Sequence, residues 1–271
     1  MKQKLLLMSL VLICNILFSQ NHKMVYTMKY KRDSTNEQLV KKNMVLLVEK
    51  DKTLFISENQ FEHDSIKINS KDKSSQRIYD YDFMILEDKS KEKTEHFFSL
   101  LTDLYSLKDK TIKLQWIPTN VTKKIHHYNT RKATLKHSGR EWEAWFAEEI
   151  PINEGPHIFR GLPGLIIEIK DTQNNYIFEL ASIAKIENIS IDKLIPNNIA
   201  VTREQFKKVK LNYYNDPYSD ARLGKMKVRW VDENGKEFTP NYRELTLEEQ
   251  RSIRKYNNPI ELSNAIVYPE K

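Results

Sequence analysis

The chain has 271 residues, of which 39% are hydrophobic and 30% are charged, and 44 basic against 37 acidic residues give a net charge of +7. This length and composition predict one or two compact domains and exclude a collagen, a disulfide scaffold and a polytopic membrane protein. The basic excess does not indicate nucleic-acid binding. Lysines alternate with glutamates between Lys89 and Glu95, which is typical of a solvated surface.

Residues 1–20 have the layout of a secretory signal peptide. Two lysines precede an apolar run from Leu5 to Phe18, and a small polar exit follows. As a helix this run would rise about 21 Å, which is short of the ~30 Å hydrocarbon core that a membrane anchor must cross. Cleavage would also remove Cys14, the single cysteine, and with it any thiol chemistry. We therefore predict a periplasmic or extracellular protein with no integral membrane segment after cleavage.

Residues 21–200 have the periodicity of β-strands. Met24 to Tyr30 alternates apolar and polar positions, and a charged turn between Met44 to Glu49 and Thr53 to Ser57 predicts a hairpin. His96 to Tyr105 fits either a helix or a strand, and its neighbours favour a strand. The other predicted strands are Arg77 to Leu86, Thr111 to Ile117 (closed by Pro118), Tyr128 to Leu135, Glu141 to Ala147, Leu165 to Lys170 and Tyr176 to Ile183. Short connections predict an antiparallel meander, in a curved sheet or a partly closed barrel.

Residues 201–271 change to a pattern of helices and a hairpin. Thr202 with Gln205 and Thr246 with Glu249 have capping-box spacing, which predicts helices near 203–211 and 247–256. Asp232 to Gly235 is a turn signal that predicts a hairpin. The expected fold is mainly β to α+β. It comprises a signal peptide at 1–20, a β-rich domain at 21–200 and, packed on it, a C-terminal extension at 201–271.

Residues 151–166 form the most unusual stretch of the sequence. Half of the six glycines and a third of the nine prolines lie in these sixteen residues: Gly155, Gly161, Gly164, Pro151, Pro156 and Pro163. In a glycine-poor chain such a cluster indicates backbone angles that other residues avoid. Gly155-Pro156 predicts one turn and Leu162 to Leu165 a type II turn, with positive φ at Gly164. The stretch is predicted to be a rigid, doubly bent connection between two strands.

Four side chains in or near this stretch are candidates for ligand contact. His157 and Arg160 suit a carboxylate or phosphate, although a structural pairing of Arg160 with Glu148 or Glu149 is favoured. Trp142 and Trp145 are expected to seal the core, with sugar or peptide stacking as the alternative.

Neither catalytic nor metal-binding residues follow clearly from the sequence. Glu141 and Glu143 lie about 7 Å apart on one strand face, near a glycosidase separation, but such pairs commonly face water. His126 and His127 point to opposite faces as strand neighbours, and with His137 they match no zinc spacing. We predict no catalytic residue, no metal and no cofactor.

The hexapeptide Gly161-Leu162-Pro163-Gly164-Leu165-Ile166 resembles the motif of the GLPGLI family, secreted proteins of Bacteroidetes-type bacteria. Supporting positions include Ala144 to Phe146, Ile150 to Ile152, Gly155-Pro156 and Phe159, and the resemblance spans roughly residues 22–190. It implies secretion and an envelope partner such as an outer-membrane transporter, and it carries over no catalytic residue.

We therefore expect an exported, non-enzymatic cell-envelope protein that binds or assists a partner. One alternative is a carrier that encloses an apolar ligand within a curved sheet, which would require a continuous apolar cavity of about 300 Å³ or more. The other is an envelope hydrolase with a carboxylate pair, which would require convergent polar groups in a cleft.

Overall fold

The computed structural model describes residues 21–69, 80–187 and 189–270, so the predicted signal peptide and Cys14 lie outside the described residues. The chain divides into two compact units. Among the described residues, the first contains residues 21–30 together with Val40–Val201, and the second contains Lys31–Leu39 together with residues 202–270. The second unit therefore combines a short connection from the start of the chain with the C-terminal part.

The first unit is built on one twelve-stranded sheet. Its strands are β1 His22–Tyr30, β2 Val40–Val48, β3 Lys52–Ser57, β4 Ile85–Asp88, β5 Lys93–Leu100, β6 Asp103–Lys110, β7 Ile117–Ile125, β8 Tyr128–His137, β9 Arg140–Ala147, β10 Leu165–Asp171, β11 Tyr176–Lys185 and β12 Ile199–Ala200. Across the sheet the order is β12-β6-β5-β4-β3-β2-β1-β11-β10-β9-β8-β7. Every neighbouring pair is antiparallel except β12 with β6. The predicted β-rich fold is confirmed, and its sheet is open because β12 and β7 each have only one neighbour.

The ambiguous segment His96 to Tyr105 forms strands, as its neighbours suggested. It belongs to a hairpin of β5 and β6 in which Phe98 lies opposite Tyr105. Leu101 adopts a positive φ of 53° in the turn. The apolar residues of this segment have helical spacing, but pairing within the sheet outweighs that preference.

The predicted strand Thr111 to Ile117 is wrong. The strand instead begins at Ile117 and runs to Ile125, so Pro118 lies inside β7 and does not end a strand. A proline fits here because β7 is an edge strand, where one side of the backbone needs no ladder hydrogen bonds. The pairing of β7 with β8 shifts register between Pro118 and Thr122.

Of the predicted strand Arg77 to Leu86, residues 77–79 lie outside the described residues, and among the rest only Ile85 and Leu86 form a strand. Asp82 and Phe83 form a turn, with φ of 66° at Phe83, and β4 starts only at Ile85. Before this turn the chain forms helix α1, Glu58–Asn69, which the sequence analysis did not predict.

One face of the central strands is covered by helices. Val25, Val45 and Leu54 belong to a buried apolar cluster that also includes Phe61 of α1 and both buried residues of a short helix, α2, Ile191–Leu194. Helix α1 contacts β2, β3 and α2. This cluster is the core of one side of the sheet.

The opposite face is covered by the bent connection between β9 and β10. Tyr26 is fully buried, and its hydroxyl donates to the Ile166 carbonyl at 2.7 Å. Phe55 contacts the rings of His157 and Phe178. Because both faces are covered, three consecutive residues of β1 are buried, which a one-sided sheet would not allow.

The second unit contains helices α3 (Arg203–Asn215), α4 (Ser219–Arg222) and α5 (Tyr242–Lys255). The Thr202–Gln205 capping box is present at the start of α3. Thr246 does not cap a helix, because α5 begins earlier, after Asn241. The predicted hairpin is reduced to a turn closed by one bridge, between Val231 and Glu237.

Among the helices of the described residues, none has both the length and the apolar character needed to cross a membrane.

Candidate functional site

The bent loop, residues 148–164 between β9 and β10, is closed on itself by backbone hydrogen bonds and is buried in its middle part. Its backbone amides are used internally: Gly161 N–H donates to Asn153 O at 2.9 Å and Phe159 N–H to Pro156 O at 3.1 Å. Residues 154–159 are all buried, whereas Pro151, Gly161 and Pro163 are exposed. The middle of the loop therefore packs on the sheet, whereas its first residues and its corners are exposed.

Two glycines of this region are required by close approach of neighbouring atoms. An added Cβ at Gly164 would lie 2.2 Å from the Ala147 carbonyl oxygen. An added Cβ at Gly155 would lie 2.6 Å from the Phe159 carbonyl oxygen. Gly161 has a φ of +89° but open space around it, so only the backbone angle favours glycine at this position.

The predicted type II turn at Leu162 to Leu165 is wrong. Gly164 has a positive φ, as predicted, but its value of 153° is far from the ~80° of a type II turn. Leu165 N–H, which would close that turn onto Leu162 O, instead donates to Ile150 O at 3.1 Å. Gly164 N–H donates to Leu162 O at 2.8 Å, which closes a three-residue turn around Pro163. The hydrogen bond from Leu165 to Ile150 therefore joins the end of the bent loop to its beginning.

Arg160 has a structural partner, but not one of the two expected. Its Nη1 lies 2.6 Å from Oε2 of Glu87 in β4, and the side chains are only 14% and 4% exposed. Glu148 instead pairs with Arg131, and Glu149 accepts from the Asn129 amide.

A second ion pair adjoins the first. Glu154 lies 2.6 Å from Lys89, the residue that follows β4. Burial raises the pKa of Glu87, the Glu154 charge raises it further, and Arg160 only partly offsets both. Burial also lowers the pKa of Arg160. The loop is therefore attached to the β4 region by two charged pairs, one of them strongly desolvated.

His157 is buried and is not accessible to a ligand in solvent. Its ring centroid lies 6.3 Å from Phe55 and 6.4 Å from His96, and its Nδ1 has no hydrogen-bond partner among the described residues. Burial holds the pKa of His157 well below its usual value, and the nearby His96 and His137 lower it further. Its φ of 58° is a strained value for a non-glycine residue.

The residues that the structure describes include no group of three histidine, cysteine, aspartate or glutamate side chains arranged to hold a metal ion. His126 lies in the β7–β8 turn and His137 at the end of β8. The three histidines considered from the sequence are not brought together.

The two tryptophans of β9 lie on opposite faces of the strand. Trp142 is buried and its ring centroid is 4.4 Å from that of Phe159 in the bent loop. Trp145 is covered by the Lys123 ammonium, 4.1 Å from its ring centroid, and its indole N–H donates to Glu143. Neither ring forms an open stacking platform.

The carboxylate pair of β9 is engaged by lysines. Glu141 lies 2.6 Å from Lys136, and Glu143 lies 2.5 Å from Lys132. Partial burial alone would raise the pKa of Glu143, but the Lys132 ammonium and the Trp145 indole outweigh it and lower that pKa. A glycosidase acid needs the opposite shift, so the pair is poorly suited to acid catalysis.

A cleft of about 570 Å³ lies elsewhere in the first unit, next to α1. We call it the α1 cleft. It is lined by Gln60, His63, Asp64, Lys67 and Ile68 of α1, by Tyr81, by Thr102, Asp103 and Leu104, and by the segment Lys193–Ile199. These residues are not among those predicted from the sequence. The spacing of positions 60, 63, 64 and 67, which places polar side chains on one face of a helix, is the sequence pattern that could have indicated them.

Comparison with known families gives one match. A model of a protein family of unknown function, Porph_ging, matches residues 136–168. This range contains β9, the whole bent loop and the start of β10. The sequence matches no curated protein.

Two crystal structures of PNGF-II are similar to this chain. The one in space group P21 has 19% sequence identity and a TM-score of 0.51, over 70% of this chain and 32% of that chain. The one in space group C2 has 19% identity and a TM-score of 0.48, over 68% and 31%. The chain thus spans about a third of the length of PNGF-II, and at this identity the likeness is one of fold.

Proposed function

We propose that this chain is an exported, non-enzymatic binding protein of the bacterial cell envelope and a member of the GLPGLI family. The observation that carries the proposal is the burial of the bent loop, which includes most of the family hexapeptide. Leu162, Leu165 and Ile166 are buried, and Gly164 is required by close approach to Ala147. The requirements of folding therefore explain these residues of the hexapeptide, and no catalytic role is needed to explain them.

The state of the polar side chains near the loop also favours binding over catalysis. Arg160 is held by Glu87, His157 is buried, and Glu141 and Glu143 each contact a lysine. A hydrolase would instead present a free nucleophile or acid in a cleft. The α1 cleft supports the carrier alternative to the extent that it offers a volume for a ligand, although its rim is polar.

Export can be tested in a bacterium that produces the full chain with a C-terminal tag. We expect the tagged protein in the envelope or medium, with an N-terminus near residue 21, because residues 1–20 have the layout of a cleaved leader. Leu10→Arg should interrupt the apolar run and leave an uncleaved protein in the cytoplasm. Full-length wild-type protein in the cytoplasm would overturn the proposal.

The partner can be sought by gentle cross-linking of intact envelopes, followed by purification through the tag and mass spectrometry. We expect an outer-membrane or other envelope protein to be enriched over a sample with an unrelated exported protein carrying the same tag. A specific partner would support an accessory role. Equal recovery from both samples would count against it.

A further inference from the structure

Helix α1 packs Phe61 into the core, but it also presents polar residues to the α1 cleft and one apolar residue to solvent. The side chains of His63 and Asp64 are only 12% and 17% exposed, whereas Ile66 is 65% exposed. Gln60, one turn earlier, is fully buried. These polar groups are satisfied within the protein: Gln60 donates to the Tyr81 hydroxyl and accepts from the Asp80 amide, and His63 contacts Asp64.

The floor of the α1 cleft is apolar. Tyr81, Leu104 and Leu194 line it and belong to the buried cluster on this side of the sheet. Ile68 and Ile195 also line the cleft and pack against the same cluster. The cleft thus combines an apolar floor with a rim that is largely polar, which suits a ligand with an apolar part and a charged part. Its volume of about 570 Å³ lies within the usual range of small-ligand sites.

Two lysines of the rim are placed to contact an anionic group. Both acids have partners: Asp64 Oδ1 lies 3.2 Å from His63 Nδ1, and Asp103 accepts from the Tyr105 hydroxyl at 3.3 Å. Lys67 and Lys193 line the same cleft, and within the described part of the chain neither forms an ion pair with a carboxylate. Two ammonium groups are therefore available to a ligand.

We propose that the α1 cleft binds a small amphipathic carboxylate, whose apolar chain lies on the floor and whose carboxylate is held by Lys67 and Lys193. A single negative charge suits the site better than a dianionic phosphate, because Asp64 and Asp103 lie in the same cleft and would repel the second charge. This ligand site is independent of export and of any envelope partner.

Isothermal titration calorimetry of the full chain tests the proposal with three probes. Dodecanoate should bind, because it offers both the chain and the carboxylate. Acetate, which lacks the chain, and dodecyltrimethylammonium, which reverses the charge, should bind at least tenfold more weakly. Equal binding of the cationic probe, or no binding of dodecanoate at 1 mM, would overturn the proposed ligand class.

A charge variant and its matched control locate the site. Lys67→Gln with Lys193→Gln should weaken dodecanoate binding about tenfold or more, since both charge-assisted contacts are lost. Lys110→Gln with Lys136→Gln removes the same charge at two highly exposed positions outside the cleft and should leave binding unchanged. All four residues are exposed, so folding should persist in both variants. An equal loss in both variants would show that binding reflects net charge and not this cleft.

Discussion

Gly164 occupies a position where the backbone of β9 leaves no room for a side chain. Gly164→Ala would place a Cβ 2.2 Å from the Ala147 oxygen, so the strand end or the loop must move. We expect a loss of about 3 kcal/mol in the free energy of unfolding, measured by urea denaturation. Gly161→Ala is the matched control, because its positive φ meets open space and should cost only about 1 kcal/mol. Equal losses would mean that the close contact is not rigid.

Arg160 neutralises a carboxylate that has almost no access to water. Arg160→Met should lower the free energy of unfolding by about 3 kcal/mol at pH 8, because Glu87 is left charged and buried beside Glu154. A carboxyl whose folded pKa is raised loses stability as the pH rises through that pKa. The loss relative to wild type should therefore shrink at pH 5.

Glu87→Gln added to Arg160→Met should restore much of the lost stability, because it removes the uncompensated charge. This double variant separates the effect of charge from the loss of arginine packing. If it is no more stable than Arg160→Met at pH 8, the ion pair is not the cause of the destabilisation.

His157 links the bent loop to acid stability. Its folded pKa lies well below its usual value, so the unfolded chain binds a proton more readily and stability falls as the pH drops below about 6.5. One such histidine can contribute up to about 1.4 kcal/mol per pH unit. His157→Asn keeps a residue that tolerates positive φ and should flatten the fall between pH 7.5 and 5.5 in urea denaturation.

His126→Asn is the matched control for that measurement. His126 also has positive φ, at 53°, but it is exposed in the β7–β8 turn. The variant should keep the pH dependence of the wild type. If His157→Asn keeps it too, the acid sensitivity comes from other groups, such as His137, whose pKa burial also lowers.

At the scale of elements, two threonines with the same sequence spacing have different roles. Thr202 Oγ1 accepts from Gln205 N–H, and Gln205 Oε1 accepts from Thr202 N–H. Thr202→Ala should destabilise the start of α3 by about 1 kcal/mol, seen as roughly fivefold faster hydrogen exchange in its first turns. Thr246 lies inside α5 and donates to Tyr242 O, so Thr246→Ala should not accelerate exchange there. Similar acceleration in both helices would contradict this assignment.

The same contrast shows which elements could be predicted from the sequence. The alternating strands and the start of α3 depend on neighbouring residues, so local patterns sufficed. Pro118 was misread because its tolerance depends on β7 being an edge strand, which is a property of the whole sheet. Helix α1 was missed because its lining face is polar and gives no apolar periodicity.

The candidate site was less predictable than the fold. The glycine and proline cluster lies in the bent loop, but the partner of Arg160 comes from β4, far away in the sequence. No local rule connects Arg160 to Glu87. The α1 cleft likewise combines α1, the start of β6 and the segment after α2.

At the scale of the whole molecule, the second unit includes a segment that lies between β1 and β2 in the chain. Within that unit Asn258 donates to the Lys31 carbonyl at 2.7 Å, and the Arg32 guanidinium lies 4.2 Å from the Tyr256 ring centroid. A chain truncated after Val201 would lose both contacts. Residues 31–39 should then be cut faster by trypsin after Arg32, as followed by mass spectrometry.

Cleavage after Lys50 provides the internal control, because that residue lies in the exposed β2–β3 turn of the first unit. Its rate should be the same in the full and truncated chains. If the truncated chain is cut no faster after Arg32, those residues are protected without the C-terminal segment.

The position of β1 also sets the order in which the protein can assemble. It is the first strand of the described chain, yet it lies in the sheet interior between β2 and β11, and its Tyr26 bonds to a residue 140 positions later. Hairpins such as β5–β6 and β7–β8 can form as soon as they are synthesised, but the pairing of β1 with β11 cannot form until β11 has been made. A chain that crosses a membrane unfolded would benefit from that delay, since the centre of the sheet cannot be completed before β11 has been made.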